Sequence, residues 1–89
     1  MATGIVKTIV KRDGRVVLYD ETKIASAVLK ALIAAGSDDP AAAARIANAV
    51  GASLSARSGE TPPTIEHIQD AVETELMREG FDAAAKKYI

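Results

Sequence analysis

Two short β-branched runs flank an Asp-Gly pair near the start of this chain, and a lone hairpin of that kind cannot stand without a layer to cover it. Residues 5–10, Ile-Val-Lys-Thr-Ile-Val, read as a strand with Ile5, Lys7 and Ile9 on one face and Val6, Thr8 and Val10 on the other. Lys11-Arg12-Asp13-Gly14 supplies the turn, because glycine tolerates the positive φ that tight hairpins need. Arg15 to Tyr19 makes the second strand.

The covering layer is legible in the residues beyond Tyr19. Asp20 is a good helix N-cap, and Ile24, Val28, Ala31, Leu32 and Ala35 recur at helical spacing until Gly36. Asp39-Pro40 caps and opens a second helix to about Arg57, with Ile46, Val50, Ser53 and Leu54 as its stripe, ended by Ser58-Gly59. Thr61-Pro-Pro-Thr64 is a stiff connection that delivers Thr64 as the next N-cap. Ile65, Ile68, Val72 and Leu76 then form a third stripe that stops at Gly80, and Asp82 is expected to cap a last short helix through Ile89. A hairpin followed by four helices predicts an α+β fold.

At 89 residues, 48% of them hydrophobic but 18 of those alanine, the chain supports one small domain over residues 1–89. The absence of cysteine excludes a disulfide framework, a zinc ribbon and a thiol nucleophile within it. No apolar run approaches the roughly 18 residues of a membrane span and no signal peptide is visible, so the expected location is cytoplasmic, without a membrane partner. The net charge of −1 hides an asymmetry. Residues 1–30 carry six cations against three acids, whereas residues 31–89 carry five cations against nine acids. An anionic partner is therefore expected at the N-terminal end. Six cations mixed with acids are too few to argue for a nucleic-acid surface.

No enzyme motif is present. Neither GxxxxGK[ST] nor GxGxxG occurs, His67 is the one histidine, and Asp38-Asp39 is explained by capping at a helix start. The informative residues are Lys11, Arg12 and Lys23. Lys11 and Arg12 sit side by side at the hairpin turn, and Lys23 lies one turn into the first helix, whose N–H groups and dipole favour anions. Three cations gathered there suit a polyphosphate, although the residues alone favour the plainer reading of solvated turn charges.

The stretch Ile9-Val-Lys-Arg-Asp-Gly-Arg-Val-Val-Leu-Tyr-Asp-Glu-Thr-Lys-Ile24 resembles the signature of the ATP-cone domain. Thr64-Ile-Glu-His-Ile-Gln-Asp70 followed by Val72-Glu73 is similar to that family's third-helix start, and Gly80-Phe-Asp-Ala-Ala-Ala-Lys-Lys-Tyr-Ile89 to its last helix. The family's last helix usually continues a few residues further, which points to a domain taken from a longer chain.

The resemblance implies a regulatory module, a four-helix bundle capped by a small three-stranded sheet, which binds ATP and dATP at the N-terminus of ribonucleotide reductases. In that family ATP activates and dATP inhibits. Carried over by motif position, Lys11 and Arg12 contact phosphates, with Lys23 reaching them from the first helix. Ile9 and Val10 lie beside the base, and Asp20 stands where the family often places Asn, Asp or Phe near the nucleotide. Thr64 and His67 flank the base or sugar, with Gln69 as the competing candidate, and Val17 stands where some members carry Glu. Any Mg2+ is expected to ride on the nucleotide phosphates. The expected partner is the remainder of a reductase, with nucleotide-dependent self-association in which the small-residue face from Ala41 to Ala49 is the candidate contact. The domain itself is expected to do no chemistry. The alternative reading is the nucleotide-sensing cone of a DNA-binding repressor of reductase genes, against which the missing zinc-ribbon cysteines count. Tyr19 and Tyr88 read as core residues, and Arg15, Arg45, Arg57, Arg78, Lys86 and Lys87 as solvated charges.

Overall fold

A computed structural model describes residues 7–58 and 62–88, with only the backbone described at 57 and 58. The expected strand residues Ile5 and Val6, the helix stop at Gly59, and Thr61 and Ile89 lie outside the described residues. Strands β1 (Thr8–Val10) and β2 (Val16–Leu18) pair antiparallel, with Ile9 opposite Val17. Gly14 takes a φ of +89° in the turn, the Gly14 N–H donates to the Lys11 carbonyl, and the Lys11 N–H donates to the Arg15 carbonyl. Asp13 fastens the same turn by accepting from the Arg15 backbone at 3.0 Å and from its Nε at 2.7 Å. Arg15 is thus spent inside the hairpin.

Four helices come after the hairpin: α1 (Glu21–Ala34), α2 (Pro40–Ser58), α3 (Ile65–Arg78) and α4 (Asp82–Tyr88). Three start where their caps predict. Asp20 accepts from the Thr22 N–H, Asp39 accepts from the Ala42 N–H at 3.1 Å, and Thr64 accepts from the His67 N–H. At α4 the expectation shifts by one residue: Asp82 is the first helical residue, and the Ala85 N–H bonds back to the Phe81 carbonyl.

The helices pack as a closed ring, α1 against α2 and α4, and α3 against α2 and α4. Leu32, Ile46, Leu54, Leu76, Val28, Val50 and Val72 fill its centre, the predicted stripes of the three long helices. Arg45 grips Glu79 with two nitrogens, at 2.7 and 3.4 Å, and ties α2 to the end of α3.

The small-residue face expected between Ala41 and Ala49 divides: Ala42, Ala43 and Ala47 belong to the core, Ala49 is half-buried, and Ala41 and Ala44 face outward. The small sheet has two strands among the described residues. A third strand is not seen among them; beside β1, Val10 makes a single parallel bridge to Thr64, supported by the Val10 N–H donating to the Pro63 carbonyl at 2.9 Å. Pro62 and Pro63 carry no N–H, so that segment cannot continue a ladder.

Candidate functional site

The hairpin lies over the starts of two helices, α1 and α3, which stand across the ring from each other. α1 begins three residues after β2, and α3 begins immediately after the segment that bonds to β1. Both therefore present their positive dipole ends toward the sheet end of the bundle.

A cleft of about 210 Å³ opens there. Its floor and walls are apolar, made by Ile9 and Val17 from facing positions of the hairpin, Ile24 and Ala27 from α1, and Ile65 and Ile68 from α3. Lys11, Asp20 and Lys23 supply the charge, and Tyr19 and Tyr88 the aromatic surface, with Leu18 at the edge. Of the residues singled out in the sequence, Ile9, Lys11, Asp20 and Lys23 line this cleft together. Val10, Arg12, Thr64 and His67 do not line it.

The strand geometry explains the division at the hairpin, since successive residues point to opposite faces and Ile9 excludes Val10. Lys11 faces the cleft, whereas Arg12 reaches toward α3, where its Nε lies 3.6 Å from Glu66 Oε2. Thr64 and His67 cap each other. The His67 N–H donates to Thr64 Oγ1 at 3.2 Å, and the Thr64 N–H donates to His67 Nδ1 at 3.3 Å. This reciprocal cap fixes the first turn of α3, and with it Ile65 and Ile68. Gln69 lies on the wall of a shallower neighbouring hollow of about 370 Å³, together with Lys30, Lys87 and Tyr88.

Lys23 occupies the third position of α1, where a cation opposes the helix dipole. The Asp20 carboxylate supplies a nearby negative charge that the Lys23 ammonium group favours. Asp20 spends Oδ1 on the Thr22 N–H and hydroxyl. That hydroxyl bond, with the backbone N–H groups of Thr22 and Lys23, holds the carboxyl below its ordinary range. Asp20 is therefore a carboxylate fixed at the helix start.

The tyrosines are the cleft residues least evident from sequence. Tyr19 is half-buried and packs against the core, but it also forms a cleft wall. Burial, with the Glu21 charge adding, pushes its phenol up to about 12. Its hydroxyl is buried without a hydrogen-bond partner among the described residues. It lies against Gly51 of α2, where a Cβ would stand 3.3 Å from the oxygen. Tyr88 also packs against the core, and burial raises its phenol. The available signal is position: Tyr19 immediately precedes the cap of the helix that carries Lys23.

The family model for the ATP cone domain matches residues 7–89. The chain belongs to the ATP-cone family. The chain is 36% identical over 90 residues to a vitamin B12-dependent ribonucleoside-diphosphate reductase of Thermoplasma acidophilum, an alignment covering 96% of this chain. It is 38% identical over 81 residues, 91% of its length, to an anaerobic ribonucleoside-triphosphate reductase of Salmonella typhimurium. A vitamin B12-dependent ribonucleoside-diphosphate reductase of Mycobacterium tuberculosis is 37% identical over 79 residues, 89% of this chain. The cone spans 11% of the length of each of these relatives. No described helix of the cone is long and apolar enough to cross a membrane.

Proposed function

We propose that this chain is a regulatory nucleotide-binding domain that takes ATP and dATP and controls the activity and assembly of a ribonucleotide reductase. The observation that carries the reading is that Lys11 and Lys23, from different elements, line one apolar-floored cleft beside two helix starts. A purine fits the apolar and aromatic walls, and the phosphates fit the lysines and helix N-termini. The two relatives that act on ribonucleoside diphosphates and the one that acts on triphosphates supply the host class.

Mg2+ fits this site only as a passenger of the phosphates. No group of three or more His, Asp or Glu among the described residues converges to hold a metal, and Asp20 is the one carboxylate of the cleft wall. The cleft groups bind and orient; the cleft's one carboxylate, Asp20, has Oδ1 held by the Thr22 N–H and hydroxyl as the cap of α1.

ATP and dATP differ by one hydroxyl, which is worth on the order of 1 kcal/mol. That suffices to tilt a nearly balanced packing or association equilibrium, and dATP is expected to favour the larger species. Calorimetry with ATP and with dATP, run beside a phosphate-release assay and light scattering, tests the reading. Saturable binding of both without phosphate release is expected. No heat at millimolar nucleotide, or turnover that follows the purified protein, overturns it.

A further inference from the structure

We propose that Glu66 is a built-in competitor for Arg12: a carboxylate that holds this motif cation away from the cleft until a phosphate takes its place. The inference rests on the nucleotide-binding reading above and concerns how that site is regulated.

Lys11 and Arg12 are adjacent, yet Lys11 lines the cleft and Arg12 does not. Arg12 instead directs Nε toward Glu66 Oε2, 3.6 Å away and 54 positions further along the chain. The contact is set by the fold. The Val10 N–H bonds to the Pro63 carbonyl two residues before Arg12, and the Thr64–His67 cap fixes the turn that carries Glu66. Glu66 is therefore held within reach of the hairpin turn whether or not Arg12 engages it.

Both partners are largely exposed, at 67% and 62% of their side-chain surface. An exposed pair of this kind is weak, so a phosphate can displace the carboxylate. Glu66 also loses little when Arg12 leaves, because it stands in the first turn of α3, where a negative charge is favoured by the helix dipole. The exchange replaces one anion by another at the same guanidinium, so Glu66 lowers nucleotide affinity without blocking the site.

The test is a double-mutant cycle in the 89-residue chain, with ATP binding followed by calorimetry at low salt and thermal melting as a folding control. Glu66→Gln is expected to tighten ATP about two- to fivefold, the range an exposed ion pair supports. In an Arg12→Ala background the same substitution is expected to give less than half that gain. A gain that persists in full without Arg12 overturns the proposal, because Glu66 then acts on the phosphates by repulsion alone. Weaker binding by Glu66→Gln also overturns it, because Glu66 then positions Arg12. If the unmodified chain binds no ATP, the nucleotide-binding reading fails and takes this proposal with it. Normal ATP binding with an unchanged Glu66→Gln variant removes the proposal alone.

Discussion

Val10 and Pro63 share a single backbone hydrogen bond, 2.9 Å from the Val10 nitrogen to the Pro63 oxygen, and it registers the hairpin against the start of α3. Lys11 comes directly after that bond on one side and Thr64 on the other. The cleft walls contributed by Ile9 and Ile65 are thus fixed relative to each other by main-chain atoms, not by side-chain packing alone.

The cap at Thr64 is expected to serve both stability and the cleft. Thr64→Ala removes the acceptor for the His67 N–H and should cost about 1 kcal/mol. Chemical denaturation measures that loss. Because Ile65 and Ile68 shift with the first turn of α3, ATP affinity measured by calorimetry should fall as well. Full stability in Thr64→Ala would show that the cap is not holding this joint.

The two cleft lysines should act as a localised pair. A hydrogen bond from a charged donor to phosphate is worth roughly 1.5–3 kcal/mol, so Lys11→Ala or Lys23→Ala should weaken ATP about tenfold or more. Lys86 is exposed on α4 and lines no part of the cleft, and Lys86→Ala should change affinity little. Equal losses at all three positions, read by titration calorimetry, would indicate diffuse attraction in place of a site.

Tyr19 gives a prediction in alkali. The free phenol titrates near 10 and the folded one at about 12, so between those values the unfolded chain releases a proton that the folded chain keeps. Tyr19 therefore contributes stability below pH 10 that is lost as pH rises through about 12. Tyr19→Phe should flatten that alkaline decline. At neutral pH it should leave the melting temperature unchanged or raise it, because it removes a buried hydroxyl with no described partner. A clear drop in melting temperature at neutral pH would show that the hydroxyl is satisfied after all.

Local chemistry made much of the fold legible. Asp13-Gly14 between β-branched runs fixes the hairpin, and Asp20, Asp39-Pro40 and Thr64 mark three helix starts before any packing is considered. The periodic stripes of α1, α2 and α3 identify the core because burial follows the helical repeat. What sequence could not resolve depends on contacts between distant positions. Whether Ile9 or Val10, and Lys11 or Arg12, turns toward the cleft depends on how the hairpin sits on the helices. Arg12 meets Glu66 only once α3 has docked. Tyr88 becomes a cleft wall only because α4 closes on α1, and the inward alanines of α2 could not be told from outward ones within so uniform a run.

Nine of the twelve cleft-lining residues fall between Ile9 and Ala27, and the other three are Ile65, Ile68 and Tyr88. The first group shares a hairpin and a helix that are near neighbours in sequence; the rest arrive only when the far half of the chain has docked. A nucleotide in this cleft would therefore act as a clamp between the two ends of the chain, with affinity for the assembled bundle and little for its separated parts. By mass action, ligand at about a hundred times its dissociation constant adds about 2.7 kcal/mol to the folded state. In so small a bundle that is a substantial share of the total, and nucleotide concentration would be read directly as resistance to unfolding.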